Sequence, residues 1–291
     1  MPELPEVEAL ARFLRERTVG HEVAAVDVGS ISALKTFSPA PADLVGRTVT
    51  DVERHGKWLD LTISGPHLVF HLARAGWVRW YDKAPTGPVR PGKSTLALRV
   101  RLADGAGFDL TEAGTRKRLA VHVVDDPTAI RPIATLGIEP LSPAFTVERL
   151  GELLTARNQQ IKGLLRDQST IAGIGNAYSD EILHAARLSP FALTRTFDAA
   201  RTALLHAAIL DVLTGAVAAS SGRPAAELKD AKRRGMRVHA RTGQPCPGWN
   251  GVPCGDTVHE VSFADSTLQY CPTCQTDGKP LADRRLSRLL R

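Results

Sequence analysis

Met1-Pro2-Glu3-Leu4-Pro5-Glu6-Val7-Glu8 opens the chain. If Met1 is removed, Pro2 becomes a terminal secondary amine with a pKa near ~7.7–8.0, so an appreciable fraction is unprotonated at neutral pH. Attack of such an amine on a sugar C1′ gives a cationic iminium without further proton loss. That cation is an electron sink for eliminations at neighbouring carbons, a form of covalent catalysis. Glu3 beside it and Glu6 one helical turn later can act as acid and base. The same residues also read as an acidic helix start. Proline suits a first turn, Glu complements the helix dipole, and Val7, Leu10, Phe13 and Leu14 follow helical spacing.

Working outward, residues 21–124 read mostly as strands. His21 to Val28, Thr48 to Ile63, His67 to Tyr81, Ser94 to Leu102, Gly107 to Thr111 and Arg118 to Val124 alternate or are β-branched. Asp104-Gly105 is a hairpin signal. An antiparallel sandwich or barrel is expected over 1–130. Asp126 to Pro143 holds four prolines and reads as a linker, with 131–143 at its heart. From Thr146 the period turns helical, with candidate helices Val147 to Arg157, Ile161 to Asp167, Asn176 to Arg187 and Phe197 to Ser220. A helical domain is expected over 144–234, a cysteine-bearing hairpin over 235–275 and a basic tail over 276–291. The fold class is α+β and multidomain.

The chain has 291 residues, is 43% hydrophobic and carries a net charge of +6, with a sequence pI of about 9.3. It can bury a sizeable core and suits a polyanionic partner. From Arg223 to Arg291 there are 12 Lys/Arg against 7 Asp/Glu, so the excess is concentrated there. No apolar run is expected to approach the ~20 residues of a membrane helix, and no secretory signal is read. These features give expectations of no membrane partner and a cytoplasmic, nucleoid-associated location.

All 4 cysteines fall between Cys246 and Cys274, which argues against a secreted disulfide framework. They read Cys246-x7-Cys254-x16-Cys271-x2-Cys274. The Cys271-Pro272-Thr273-Cys274 knuckle points to one structural tetrahedral Zn2+ per chain, since four thiolates leave no open position. A redox C-x-x-C is the alternative, but no thioredoxin-like βαβ pattern precedes it. His55-Gly56-Lys57 lies inside a strand pattern. Its lysine either points to water or clamps a phosphate. Ile171-Ala172-Gly173-Ile174-Gly175-Asn176 is a glycine turn opening a helix. Its backbone N–H groups and the Asn176 amide suit a phosphate, although helix packing alone could ask for the glycines.

Together these residues resemble the formamidopyrimidine-DNA glycosylase / endonuclease VIII family. The resemblance rests on the octet Met1 to Glu8, Gly56-Lys57, His71-Leu72, the helix–two-turn–helix stretch Gln168 to Pro190 and the cysteine hairpin. It implies an N-terminal β-sandwich with an N-terminal helix, a helix–two-turn–helix domain and a C-terminal zinc-finger β-hairpin, with DNA in the cleft between. It implies a monomeric bifunctional glycosylase/lyase that flips a damaged nucleotide out of double-stranded DNA. By position Pro2 is the nucleophile, Glu3 the proton donor and acceptor, and Glu6 a supporting carboxylate. Lys57 and Asn176 hold phosphates flanking the lesion. The Schiff base then drives β,δ-elimination.

Four departures qualify this reading. The family's phosphate-binding Arg of the zinc hairpin is Ser266 here, so Arg284, Arg285 and Arg288 of the tail are expected to replace it. Arg74 follows His71-Leu72-Ala73 where the family places a void-filling Met. Thr115-Arg116-Lys117-Arg118-Leu119 stands in place of an Arg-Arg-Phe-Gly loop, making Arg116 a DNA-contact candidate. Ser221 to Gln244 lacks the longer loop that folds over 8-oxoguanine, which favours the endonuclease VIII branch and oxidised pyrimidines. The alternatives are an 8-oxoguanine/formamidopyrimidine specialist, a non-cleaving binder of abasic or damaged DNA, or an RNA-associated zinc protein.

Overall fold

The computed structural model describes residues 1–90, 95–248, 251–263 and 266–282. The chain divides into two compact units, Met1–Leu136 with Ser220–Lys229, and Gly137–Ala219 with Asp230–Arg291.

The first unit begins with α1 (Leu4–Thr18), which has Pro5 and Glu6 in its first turn and Arg15 and Arg17 in its last. This charge order suits the helix dipole. Eight strands follow: β1 (Val23–Val28), β2 (Val49–His55), β3 (Trp58–Ile63), β4 (His67–His71), β5 (Gly76–Tyr81), β6 (Leu96–Leu102), β7 (Gly107–Glu112) and β8 (Ala120–Val124). They form two four-stranded sheets, ordered β1-β6-β7-β5 and β2-β3-β4-β8, with antiparallel pairing throughout. The core between them joins Leu59, Leu61, Phe70 and Val121 of one sheet to Leu98, Val100, Phe108 and Leu110 of the other. Val7, Leu10, Phe13 and Leu14 of α1 complete it, so the helical spacing read in the sequence is the buried stripe.

Two expectations change here. The stretch Thr48 to Ile63 is not one strand, because Gly56 at φ +57° turns the chain and His55 pairs with Trp58 across a tight hairpin. Lys57 thus sits in a turn. The proline-rich stretch expected as a linker contains α2 (Arg131–Ala134). Its Ile133, with Ile130, packs on Val69 and Val124. The prolines permit a short helix with two apolar anchors rather than an open tether.

The second unit contains α3 (Val147–Ala156), α4 (Ile161–Arg166), α5 (Asn176–Ala185), α6 (Ala199–Ser220), most of α7 (Leu228–Gly235), β9 (His259–Ser262), β10 (Thr267–Tyr270) and α8 (Pro272–Gln275). The helical domain expected over 144–234 is interrupted, because Ser220–Lys229 belongs with the sandwich unit. Ala225 and Leu228 are buried in the sandwich core, and the Trp77 indole N–H donates to the Ala225 carbonyl at 2.9 Å. The expectation about apolar runs also needs correction. By length and composition α6 is apolar enough to cross a membrane. Leu205, Ile209 and Leu213 form its buried line.

Candidate active site and metal centre

In the sandwich unit the residues of interest gather around the start of α1 and the β2–β3 turn. Pro2 is buried behind a half-exposed Met1. Glu3 and Glu6 are both almost wholly buried. The Glu3 backbone N–H donates to Glu6 Oε2 at 2.9 Å, so Glu6 caps the helix and fixes the backbone next to Pro2. The predicted helix start and the predicted carboxylate site are thus the same residues.

One turn on, Glu8 receives Arg54 Nε at 2.9 Å and Arg12 Nε at 2.9 Å. Burial pushes the Glu8 carboxyl up, but the two guanidiniums outweigh it and hold the group below its ordinary range. Arg54 also donates to the Gly56 carbonyl at 3.0 Å. This buried arginine therefore ties α1 to the turn that presents Lys57. The Lys57 side chain is itself buried. Burial pushes the His71 imidazole down to about 4, and the charge of Lys57 adds to that. His71 is neutral at physiological pH, with Nδ1 accepting the Ala73 N–H at 3.2 Å and its ring 4.9 Å from that of Trp58. The corner holds two buried carboxylates, a buried ammonium and a neutral imidazole, a set suited to acid–base chemistry on an anionic substrate. Glu8 closes the opening octet but, like Arg54, was given no role from the sequence; only the fold makes them partners.

Arg74 lies at the exposed tip of the β4–β5 turn, where Ala73 adopts φ +50°. Arg116 is exposed in the β7–β8 loop. Buried Glu112 gathers that loop by accepting the backbone N–H groups of Arg118 and Leu119 at 2.8 and 3.0 Å.

In the second unit, α4 and α5 flank a turn held by side chains. Asp167 accepts from Ser169 and Thr170. Gln168 accepts the Gly173 N–H at 3.0 Å and donates to the Ile174 carbonyl at 2.7 Å. Gly173 takes φ +87°, a conformation that favours glycine. Asn176 begins α5. Its Nδ2 donates to the Thr267 carbonyl of β10 at 2.8 Å, leaving the second amide N–H as a further donor. Its Oδ1 is buried without a hydrogen-bond partner among the described residues. Beneath the turn, buried Lys162 bonds Asp180 at 2.6 Å and Ser179 at 2.7 Å. Glu181 accepts the backbone N–H groups of Arg237, Val238 and His239. These buried charges were not read from the sequence, where charged residues on a helix are ordinarily assigned to water.

The four cysteines converge, with their sulfurs all within 4.8 Å of one another. Cys246 and Cys274 are 3.9 Å apart and Cys254 and Cys271 are 3.6 Å apart. A tetrahedron of metal–sulfur bonds of about 2.3 Å has edges of about 3.8 Å, so the four residues fit a metal ion. Burial pushes the thiols of Cys246, Cys271 and Cys274 up to about 12, so a cation is needed to hold them as thiolates near neutral pH. His184 of α5 places Nε2 3.2 Å from Cys246 Sγ, and the Gly248 N–H points at the same sulfur. Arg284, Arg285 and Arg288 lie outside the described residues.

The formamidopyrimidine-DNA glycosylase N-terminal domain matches residues 1–121, and the formamidopyrimidine-DNA glycosylase H2TH domain matches residues 136–225. The formamidopyrimidine-DNA glycosylase of Symbiobacterium thermophilum is 34% identical over 98% of this chain and 93% of its own. The chain belongs to the formamidopyrimidine-DNA glycosylase family. An uncharacterized formamidopyrimidine-DNA glycosylase-like protein of Mycobacterium tuberculosis is 57% identical over half of this chain and 89% of its own. Among solved structures, the Lactococcus lactis glycosylase bound non-covalently to DNA containing an abasic site superimposes with a TM-score of 0.79 at 26% identity, covering 94% of this chain and 99% of that one. The Thermus thermophilus enzyme gives a TM-score of 0.78 at 29% identity, over 96% of this chain and 100% of that one. These matches place the chain in the family as a whole rather than in either branch. As a family member it is a DNA glycosylase of base excision repair.

Proposed function

We propose that the chain is a bifunctional glycosylase/lyase that removes oxidised bases from double-stranded DNA through a Schiff base on Pro2. The observation that carries this reading is the buried pair Glu3 and Glu6 directly after a buried Pro2, with Glu6 capping the Glu3 N–H. With Met1 removed, the Pro2 nitrogen attacks C1′ of the flipped nucleotide. The N–C1′ bond forms as the glycosidic bond breaks, and Glu3 supplies a proton to the departing base. The nitrogen then sheds its proton, the C1′–O4′ bond opens as O4′ is protonated, and the resulting iminium acidifies the C2′ proton, whose loss expels the 3′ phosphate. A second elimination releases the 5′ phosphate. Glu6 holds the backbone beside the nucleophile.

Lys57 and Asn176 bind phosphates, a role supported by the Lys57 turn fixed through Arg54 and by the Asn176 amide, which carries a second N–H besides the one donated to Thr267. Arg74 enters the space left by the flipped base, and Arg116 contacts the backbone. Contact with damaged DNA is supported by the Lactococcus lactis relative, whose structure holds abasic-site DNA. The cysteine site takes Zn2+ in a structural role, as four thiolates imply.

For the lesion, oxidised pyrimidines are the leading reading. Ser220–Lys229 is anchored by Ala225 and Leu228, and Arg237 to His239 are pinned by Glu181. Little chain remains for a loop closing over a purine. The names of the relatives favour the second reading, a formamidopyrimidine and 8-oxoguanine specificity. Excision rates on duplexes with thymine glycol, dihydrouracil or 8-oxoguanine decide between them, with strand cleavage at an abasic site followed alongside. At least tenfold faster release of the pyrimidines is expected, and the reverse order selects the purine reading. Binding with no release of any base would remove the glycosylase reading altogether.

A further inference from the structure

We propose that Glu53, His55 and Asp60 form a second metal site, for a first-row divalent transition ion, on the face of the β2-β3-β4-β8 sheet away from the sandwich core. The strand register creates it. On β3, Leu59, Leu61 and Ile63 point into the core, which leaves Asp60 on the opposite face. Glu53 pairs directly with Asp60 across the β2–β3 ladder, and Val69 pairs with it on the β4 side. His55 and His67 then occupy the two diagonal positions, within reach of the same carboxylate.

Two like charges directly opposite on one face of a sheet are destabilising. Here one is exposed and the other, Asp60, is almost completely buried. Such a pair calls for a cation. The histidines are arranged to share Asp60 rather than compete for it. His67 Nδ1 holds Oδ1 at 2.9 Å, and His55 Nε2 lies 3.0 Å from Oδ2. Ligand atoms on one ion with bonds of about 2.0–2.2 Å are separated by roughly 2.9–3.5 Å, so the His55–Asp60 edge needs no rearrangement. The Glu53 carboxylate lies within 4.8 Å of both other ligand atoms, on an exposed side chain that can swing the remaining distance. The donor set is one imidazole and two carboxylates, with water completing the shell. Imidazole selects zinc, nickel, cobalt or iron over magnesium and calcium. His67 orients Asp60 from behind, as outer-shell partners do.

The ion would clip β2 to β3 at the base of the hairpin whose turn carries Lys57. It shares no residue with the cysteine cluster or with the corner around Pro2, so it stands whether or not the glycosylase mechanism proposed above is right.

The test uses the full chain carrying one zinc in its cysteine site, titrated with Co2+ while zinc and cobalt contents and the visible spectrum are followed. The expected result is one added cobalt per chain with zinc retained, giving weak d–d bands and no thiolate charge-transfer absorption. Glu53→Gln, at an exposed position, and His55→Gln should each weaken cobalt binding at least tenfold. His67→Gln should weaken it by about 10-fold or more, the usual cost of losing an outer-shell partner. Cobalt uptake only in step with zinc loss, no cobalt uptake, or unchanged affinity in both Glu53→Gln and His55→Gln would overturn the proposal.

Discussion

Replacing Glu181 asks whether one buried carboxylate holds the cysteine-bearing end of the second unit to α5. Its Oε2 accepts the Arg237 N–H at 2.8 Å. Its Oε1 accepts those of Val238 at 3.0 Å and His239 at 2.8 Å. Val238 packs with Cys246, Val258 and Cys271, so the pinned segment is part of the wall of the cysteine site. Glu181→Gln keeps the volume but replaces one oxygen with an NH2 group. The better-satisfied arrangement retains Val238 and His239 and sets donor against donor at Arg237. Losing one hydrogen bond to a charged acceptor costs roughly 1.5–3 kcal/mol, and the facing donors add to that. Glu181→Ala strands all three N–H groups and should cost roughly 3–5 kcal/mol. Native-state hydrogen exchange on the metal-loaded chain reads this locally, together with the rate of metal loss to a chelator. Val238 and His239 amides should lose protection, more in Ala than in Gln, and metal should leave faster in the same order. Both variants within about 0.5 kcal/mol of the parent, with Val238 protection unchanged, would refute the reasoning.

Other perturbations give further outcomes. A Cβ on Gly76 would lie 2.1 Å from the Leu72 carbonyl oxygen, so Gly76→Ala should destabilise the sandwich unit by about 1–3 kcal/mol in urea titrations, and a smaller loss would show the β4–β5 turn to be pliable. The half-buried His71, held at about 4 against 6.5 for an ordinary histidine, contributes its full stability above pH 6.5. That contribution is lost as pH falls from 6.5 towards 4, up to roughly 3 kcal/mol. His71→Asn keeps an acceptor for the Ala73 N–H and should flatten the difference in urea midpoint between pH 7.5 and 4.5; an unchanged difference would place the acid sensitivity elsewhere. Chelation at the cysteine site should abolish amide protection in β9 and β10 while leaving β3 and β4 protected, whereas retained protection in β9 would mean that the hairpin folds without metal.

The elements that periodicity could carry were legible. Val7, Leu10, Phe13 and Leu14 form the buried stripe of α1, and the strand and helix stretches fall within a few residues of those observed, except that Thr48 to Ile63 and His67 to Tyr81 each divide into two strands around a turn. The four cysteines were legible because their chemistry demands convergence. Positions set by tertiary partners were not. Strand-like patterns on both sides of Gly56 hid the turn between them, and nothing local shows that Ala225 and Leu228 pack into the sandwich while their neighbours belong to the other unit. Asp60, Lys162 and Glu181 look like surface charges until the fold supplies His55, Asp180 and the 237–239 backbone as partners.

The central claim is covalent catalysis by Pro2, and borohydride trapping tests it most directly. Untagged protein with Met1 removed is incubated with an abasic-site duplex and reductant, beside Pro2→Gly and a form with residues left ahead of Pro2. A stable protein–DNA adduct that weakens or vanishes in both controls is the predicted result. A protein that binds the abasic duplex yet forms no adduct, or forms it equally well in the controls, would contradict a Schiff base on the N-terminal proline.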